Sequence, residues 1–100
     1  MKIYIAGKIT GDKNYKKKFK QAAEYWKKAG YIVLNPAELP ERMQPGDYMR
    51  ICFAMIDAAD CVIFLKDYID SKGARLEYCY CEYINKSHLI WGGDEENERF

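Results

Sequence analysis

Three residues near the start of a predicted helix have types and spacing that could do chemistry. Ser71, Gly73 and Glu77 place a hydroxyl and a glycine at the helix entrance and a carboxylate one turn inside it. An ionised carboxylate can capture the oxocarbenium-like carbon that forms when a glycosidic bond breaks, and a helix N-terminus favours the ionised form. The same spacing fits an ordinary helix start, with Ser71 or Asp70 as N-cap and Glu77 on the surface. Both interpretations remain open at this point.

A second candidate loop lies near the start of the chain. Gly7-Lys8-Ile9-Thr10-Gly11 follows a short β-favouring run and precedes a helical pattern. Glycines let a ligand approach the backbone closely, and free amides beside a helix start favour anionic groups. The loop matches neither the Gly-x-Gly-x-x-Gly dinucleotide pattern nor the Gly-Lys-Ser/Thr ending of a P-loop. It fits a phosphate-contacting loop and an ordinary tight turn, and both remain open.

Apolar spacing predicts alternating strands and helices along the chain. Compact β-favouring runs indicate strands, and apolar residues at helical spacing indicate amphipathic helices. The predicted strands cover residues 2–6, 31–34, 61–65 and 88–91, and the predicted helices cover 15–29, 47–59 and 74–85. We expect Gly30 to end the first helix and Asp47 to cap the second. The segment 35–47 holds all three prolines and is expected to be a loop.

This alternation indicates an α/β fold with a mostly parallel sheet. The runs 31–34 and 61–65 lack polar alternation, which favours strands covered on both faces. We expect the strand order 2-1-3-4. Ligands bind such sheets beyond the carboxyl ends of the strands, at the point where the strand order reverses. The loops 7–11 and 66–73 are therefore expected to meet at the binding site.

Length and composition restrict the remaining possibilities. One hundred residues with 49% hydrophobic side chains and a net charge of +1 fit one small globular domain. No apolar run approaches the roughly 18 residues of a membrane helix, and the opening residues do not fit a signal peptide. The lysines of the first helix are expected on a solvated face. We therefore expect a cytoplasmic protein that binds neither membranes nor nucleic acid.

The cysteine spacing favours free thiols over disulfides or a zinc site. Cys52, Cys61, Cys79 and Cys81 lie in apolar or periodic segments, and no pair has Cys-x-x-Cys spacing. We expect buried free thiols in a reducing cytoplasm. The chain has one histidine and no set of metal-ligand spacings, so the sequence predicts no metal site and no cofactor.

Four short motifs, in order, resemble the nucleoside 2-deoxyribosyltransferase-like superfamily. They are Ile3-Tyr4-Ile5-Ala6-Gly7-Lys8-Ile9-Thr10-Gly11, Asn35-Pro36-Ala37, Ala59-Asp60-Cys61-Val62-Ile63 and Ser71-x-Gly73-Ala74-x-x-Glu77. The chain is most similar to a compact bacterial and phage branch, over residues 1–91. Better-studied relatives are nucleoside 2-deoxyribosyltransferases and deoxynucleoside 5′-monophosphate N-glycosidases. The resemblance implies a flavodoxin-like three-layer sandwich with a sheet of four or five strands.

The resemblance also implies roles for individual residues. Glu77 would attack C1′ of a 2-deoxyribosyl group, and water or a second base would resolve the covalent intermediate. Ser71 and Gly73 would bind sugar or 5′-phosphate oxygens. The substrate would also contact Gly7, Lys8 and Ile9 in the first candidate loop, and Asp67 in the loop after the third predicted strand. Tyr4 is a further candidate, although strand alternation can equally turn its side chain into the core.

The chain departs from the superfamily pattern at Cys52. Relatives carry an aspartate there that helps bind or protonate the base, and a thiol cannot replace that acid at neutral pH. Asp57 lies on another side of the helix, which leaves Asp60 and Asp67 at the strand-3 ends as acids that could reach the base. The alternative function is a nucleotide- or nucleoside-binding sensor that has lost turnover. If the acid is what the chain lacks, Cys52→Asp should raise activity.

The relatives also suggest how the chain is organised and assembled. We expect residues 1–91 to form the α/β domain and residues 92–100 to form an acidic tail, either loose or closing the site of a neighbouring subunit. Relatives are commonly dimers or larger, so a homodimer or higher homo-oligomer is expected. A phosphoacceptor receiver domain is excluded, because it needs acids at the end of the first strand, where this chain has Ala6-Gly7-Lys8.

Overall fold

Four parallel strands form a single sheet in a computed structural model, which describes residues 1–92 of the chain. The strands are β1 (Lys2–Ala6), β2 (Ile32–Leu34), β3 (Cys61–Leu65) and β4 (His88–Trp91), and the helices are α1 (Tyr15–Lys28), α2 (Pro45–Ala58) and α3 (Lys72–Tyr83). The strand order is β2-β1-β3-β4, and every pair is parallel. This confirms the predicted order and fold class. Apart from Gly92, the predicted acidic tail lies outside the described residues.

The helices divide between the two faces of the sheet, giving three layers. Ile5 and Leu65 pack against Phe19, Ala22 and Ala23 of α1 on one face. The other face carries a second cluster from β1, β3, α2 and α3. Its buried members are Tyr4, Ala6, Cys52, Ile56, Ala59, Val62, Phe64 and Cys81. This arrangement is compatible with a flavodoxin-like fold, and it places α2 and α3 together over one side of β1.

Local sequence determines the helix ends, with two corrections to the predictions. Gly30 follows α1 with φ +97°, as expected for a glycine that ends a helix. Asp47 does not cap α2, because the helix begins at Pro45, whose fixed φ suits the first helical position. Asp47 lies in the first turn and pairs with Arg50. Helix α3 begins at Lys72, two residues before the predicted start.

Two burial predictions are also wrong. The run 31–34 was expected to be covered on both faces, but β2 is an edge strand of three residues and Ile32 is 61% exposed. An apolar run with no alternation cannot by itself distinguish an edge strand from a central one. Cys52 and Cys81 are buried free thiols as expected, whereas Cys79 is exposed. None of the described helices is long and apolar enough to cross a membrane.

Candidate active site

Glu77 is a buried acid on the face of the sheet that α2 and α3 cover. It lies on the inward face of α3 with Ala74 and Cys81, three residues after one and four before the other, which is the spacing of a single helix face. Glu77 is only 5% exposed. The interpretation of Glu77 as a surface acid is therefore wrong, and the carboxylate points towards β1.

The hydroxyl of Tyr4 provides the main polar partner of Glu77. Tyr4 Oη donates a hydrogen bond of 2.6 Å to Glu77 Oε2, and both groups are buried. Tyr4 therefore belongs to both the core and the site: its ring lies in the core cluster, and its hydroxyl contacts the candidate nucleophile. Because the bond joins the central strand to α3, it fixes the direction of the carboxylate.

Burial controls the ionisation of Glu77. Desolvation raises the pKa of Glu77 to about 7, although interactions with Tyr4 and Cys52 favour the ionised form and act in the lowering direction. The expectation that the helix N-terminus would keep this carboxylate ionised is therefore not met, because the desolvation of a deeply buried charge outweighs a helix-dipole effect of about 1 kcal/mol. Near neutral pH the site holds a mixture of protonated and ionised Glu77.

Cys52, the position at which the resemblance would imply a base-handling aspartate, lies beside this pair. Its thiol interacts with both Tyr4 and Glu77, and burial raises the pKa of Cys52 to about 11. The thiol is therefore protonated at neutral pH and faces the carboxylate from α2. In this position it packs against the candidate nucleophile.

Ser71 and Gly73 form the entrance of α3. Ser71 Oγ accepts a hydrogen bond of 3.1 Å from Ala74 N, so the hydroxyl is the N-cap of the helix. A methyl group added at Gly73 would lie 3.2 Å from the Cε atom of Met49. Close packing of α2 on α3 thus favours glycine here, and Met49 lies over the first turn of the helix that carries Glu77.

The loop after β1 packs against the segment after β3, as the topology predicts. A methyl group at Gly7 would lie only 2.9 Å from Leu65 Cδ1 and 3.2 Å from Asp67 Oδ1, so glycine permits this close approach. Asp67 Oδ1 also accepts a hydrogen bond of 3.1 Å from Lys8 N. Ile9 packs against the cluster on the α1 face, away from the Glu77 side of the sheet.

Sequence reasoning missed Lys18, which joins these two loops. Its ammonium donates to Lys8 O at 2.9 Å, to Asp12 Oδ2 at 2.6 Å and to Asp67 Oδ2. Lys18 belongs to a run of lysines that was assigned to a solvated face. One feature of the sequence separates Lys18 from the other lysines. It precedes the buried Ala22 by four residues, so it lies beside the buried face of α1.

The other acids considered as base-handling groups have structural partners. Asp57 Oδ1 accepts a hydrogen bond of 2.8 Å from Tyr80 Oη. Asp60 accepts one of 2.7 Å from Lys2 N at the amino end of β3, so the expectation that it could reach a base at the carboxyl end is wrong. Within residues 1–92 no three His, Cys, Asp or Glu side chains are grouped to hold a metal ion.

Two surface cavities lie outside the immediate surroundings of Glu77. One of about 300 Å³ is lined by residues of α1 and of the carboxyl ends of β3 and β4, including Lys18 and Trp91. Another of about 340 Å³ lies around the end of α3, near His88. Glu77 lines neither cavity. Neither of these two cavities therefore gives access to the carboxylate, which is 5% exposed.

Comparison with known proteins gives a family. Among curated proteins, none matches the chain in sequence. A family model described as a domain of unknown function, DUF4406, matches residues 1–89, which include Tyr4, Cys52 and Glu77 and all four strands apart from the last two residues of β4. The chain therefore belongs to the DUF4406 family.

Proposed function

We propose that this protein cleaves or transfers the N-glycosidic bond of 2′-deoxynucleosides or their 5′-monophosphates, with Glu77 as the nucleophile. The observation that carries the proposal is the buried Glu77 carboxylate, whose Oε2 is held at 2.6 Å by the Tyr4 hydroxyl. A fixed, desolvated carboxylate is suited to covalent capture of a sugar carbon with oxocarbenium character. The resemblance of the surrounding motifs to deoxyribosyltransferases supplies the substrate class.

The proposed reaction has two displacements. In the first, a carboxylate oxygen of Glu77 bonds to C1′ while the C1′–N bond breaks, and the base leaves with the bonding electrons and takes up a proton from solvent. In the second, water or another base attacks C1′ and releases Glu77. If water attacks, it loses a proton to solvent and the protein is a hydrolase. If a base attacks, it loses its N–H proton to solvent and the protein is a transferase. Tyr4 would orient the carboxylate throughout.

The geometry around Cys52 favours a second candidate, a binding module without turnover. The thiol stands where relatives carry the base-handling acid, it is protonated at neutral pH, and Glu77 is almost inaccessible. A panel of deoxynucleosides and their 5′-monophosphates, analysed by chromatography for free base, separates the two candidates. Base release supports the enzyme, and a new nucleoside in the presence of a second base identifies a transferase. Binding of a nucleotide without any release supports the sensor.

The proposal includes a homo-oligomer in the cytoplasm. Leu76 and Tyr83 on α3 are 51% and 89% exposed, which suits a contact with another subunit, and the four cysteines are free, which suits a reducing compartment. Sedimentation velocity of the purified full chain measures the oligomeric state. A monomer at all concentrations would contradict this part of the proposal.

Removing the Tyr4 hydroxyl is expected to shift the pH dependence of the reaction. The ionised form of Glu77 is the nucleophile, so the rate should rise with pH through an inflection near the Glu77 pKa of about 7. Because the Tyr4 hydrogen bond lowers that pKa, Tyr4→Phe should move the inflection upwards and reduce the rate at pH 7 by about 10-fold. Rates of base release from pH 5 to pH 9 measure the shift. Tyr80→Phe, which removes a hydroxyl bonded to Asp57, is the matched control. An unchanged inflection in Tyr4→Phe would show that the hydroxyl does not set the ionisation of Glu77.

The position of Cys52 changes the expected result of Cys52→Asp. A carboxylate at this position would face the buried Glu77, and two adjacent carboxylates hold a shared proton. We therefore expect the variant to lose about 3–5 kcal/mol of stability at pH 8 and to show an upward shift of the pH–rate inflection. Urea unfolding and pH–rate profiles measure these effects, with Cys52→Asn as an uncharged control of the same size. A higher rate at pH 7 with an unshifted profile would instead mean that the side chain at position 52 reaches the base.

A further inference from the structure

The strongest unassigned feature is the ion cluster between the loop 7–14 and the turn 66–70. Lys18 reaches this cluster from the first turn of α1. Its three hydrogen-bond acceptors are the Lys8 carbonyl and Asp12 in the loop, and Asp67 in the turn. An ammonium group has three N–H donors, so the donors of Lys18 are matched by acceptors from two separate segments.

The charges in the cluster depend on one another. The side chains of Lys18, Asp12 and Asp67 are each less than a third exposed, so solvent screens their interactions less than those of surface pairs. Both carboxylates contact the same Nζ atom and therefore lie close to each other. The hydrogen bond to Lys18 lowers the pKa of Asp12, which keeps that carboxylate ionised. Without the lysine charge, the two carboxylates would repel each other and separate the segments that carry them.

Both segments lead directly to the candidate active site. The loop 7–14 continues from β1, which carries Tyr4, and the turn 66–70 precedes α3, which carries Glu77. Asp67 also accepts a hydrogen bond from Lys8 N, so the cluster holds the backbone of the loop as well as its side chains. Lys18 itself is not a partner of Glu77, whose hydroxyl and thiol neighbours come from β1 and α2.

We propose that Lys18 is a positioning residue that joins the two loops into one rim at the carboxyl end of the sheet and thereby sets substrate affinity. The inference rests on the proposed function for the identity of the substrate. Lys18 acts through Lys8 and Asp67, which are among the residues that the resemblance implies as substrate contacts. We call the Lys18 hydrogen bonds to the two loops the clamp. The Tyr4–Glu77 pair is held by the core, so loss of the clamp lets the two loops move apart and leaves the reacting carboxylate in place.

Kinetics of Lys18→Met test the proposal, with Lys17→Met as a matched control on an exposed position of the same helix. A loss of ground-state binding raises KM and leaves kcat unchanged. We expect Lys18→Met to raise KM for the best deoxynucleotide of the panel by about 10-fold, with kcat within about 2-fold of the unmodified chain. Lys18→Arg, which keeps the charge and several donors, should recover part of the loss. A fall in kcat at unchanged KM, or equal KM values in Lys18→Met and Lys17→Met, would overturn it.

Amide hydrogen exchange at Lys8 separates failure of this inference from failure of the proposed function. The Lys8 amide donates to Asp67, so its exchange reports on the clamp whether or not the chain turns over a nucleoside. We expect exchange at Lys8 to be at least about 10-fold faster in Lys18→Met than in Lys17→Met, while amides of β3 remain protected. If no base is released by the unmodified chain, this difference still supports the clamp. Equal exchange at Lys8 in the two variants would overturn it.

Discussion

Glu77→Gln is expected to abolish base release, with a fall in rate on the order of 10³-fold or more, because an amide cannot form the covalent bond to C1′. The variant is suited to this test because it preserves the site. Its side-chain oxygen can still accept the hydrogen bond that Tyr4 donates to Oε2, and its volume matches that of glutamate. Chromatographic measurement of free base from the deoxynucleoside panel gives the rate. Activity within about 10-fold of the unmodified chain would exclude Glu77 as the nucleophile.

The same variant is expected to change how the free energy of unfolding depends on pH. This measurement also shows whether an inactive variant is folded. Burial raises the pKa of Glu77 from its ordinary 4.5 to about 7 in the folded state. Between these two values the unfolded chain ionises first, so the contribution of Glu77 to stability is fully present below pH 4.5 and is lost as the pH rises to about 7. The loss attributable to Glu77 amounts to about 3 kcal/mol.

Glu77→Gln removes that titration. We therefore expect its free energy of unfolding to change much less between pH 5 and pH 8 than that of the unmodified chain. Urea unfolding at the two pH values measures the difference. The carboxylates of Asp12, Glu41 and Asp60 have lowered pKa values, since each is bonded to a cationic group or a backbone amide, and so titrate below this range. An identical pH dependence in the two proteins would show that Glu77 is ionised in the folded state at pH 5.

Phe64→Ala is expected to cause a large loss of stability at any pH, about 3–5 kcal/mol. Phe64 lies in the central strand β3 and is fully buried. Its ring is 5.4 Å from that of Tyr68, 5.2 Å from that of Tyr78 and 5.9 Å from that of His88, measured between centroids. Alanine would leave a cavity among these rings, because strands paired on both sides of β3 prevent the backbone from collapsing into it.

The control for Phe64→Ala is a phenylalanine of the same protein in a half-buried position. Phe53 stacks on Tyr80 at 4.4 Å but remains partly accessible, so Phe53→Ala should cost about 1–2 kcal/mol. Urea unfolding gives both values. Because a domain of this size has a total stability of about 5–15 kcal/mol, Phe64→Leu provides a variant that folds even if Phe64→Ala does not. A smaller loss for Phe64→Ala than for Phe53→Ala would contradict this description of the core.

The strand order was predictable because alternating strands and helices with short connections leave few arrangements of a parallel sheet. The predicted order placed strand 2 at the end of the sheet, but the exposure of Ile32 was not predictable from the strand itself, since Ile32 to Leu34 are as apolar as a buried strand. The side chains of a strand point to the two faces of the sheet, so their exposure depends on which helices pack over those faces, and that is set by the whole chain.

The chemistry of the candidate site was predicted at Glu77 but its environment was not. A glutamate within a helix first appears as a break in the apolar pattern, although Ala74 and Cys81 mark its position as inward-facing. Its pKa is raised by burial and lowered in part by Tyr4, which is 73 residues away in the sequence. Lys18 was obscured in the same way, since one member of a lysine run became important through an aspartate contributed by another loop. Partners that are distant in sequence leave little trace in local spacing.

The 73-residue separation between Tyr4 and Glu77 has a consequence for folding during synthesis. β1 leaves the ribosome before its partners β2 and β3 and before the acid that bonds its tyrosine. Such non-local contacts form only after large chain loops have closed. The Tyr4 hydroxyl therefore remains in water until α3 docks, and at the same moment burial raises the pKa of the candidate nucleophile. An incomplete chain carries no assembled site, so any chemistry is confined to molecules that have finished folding.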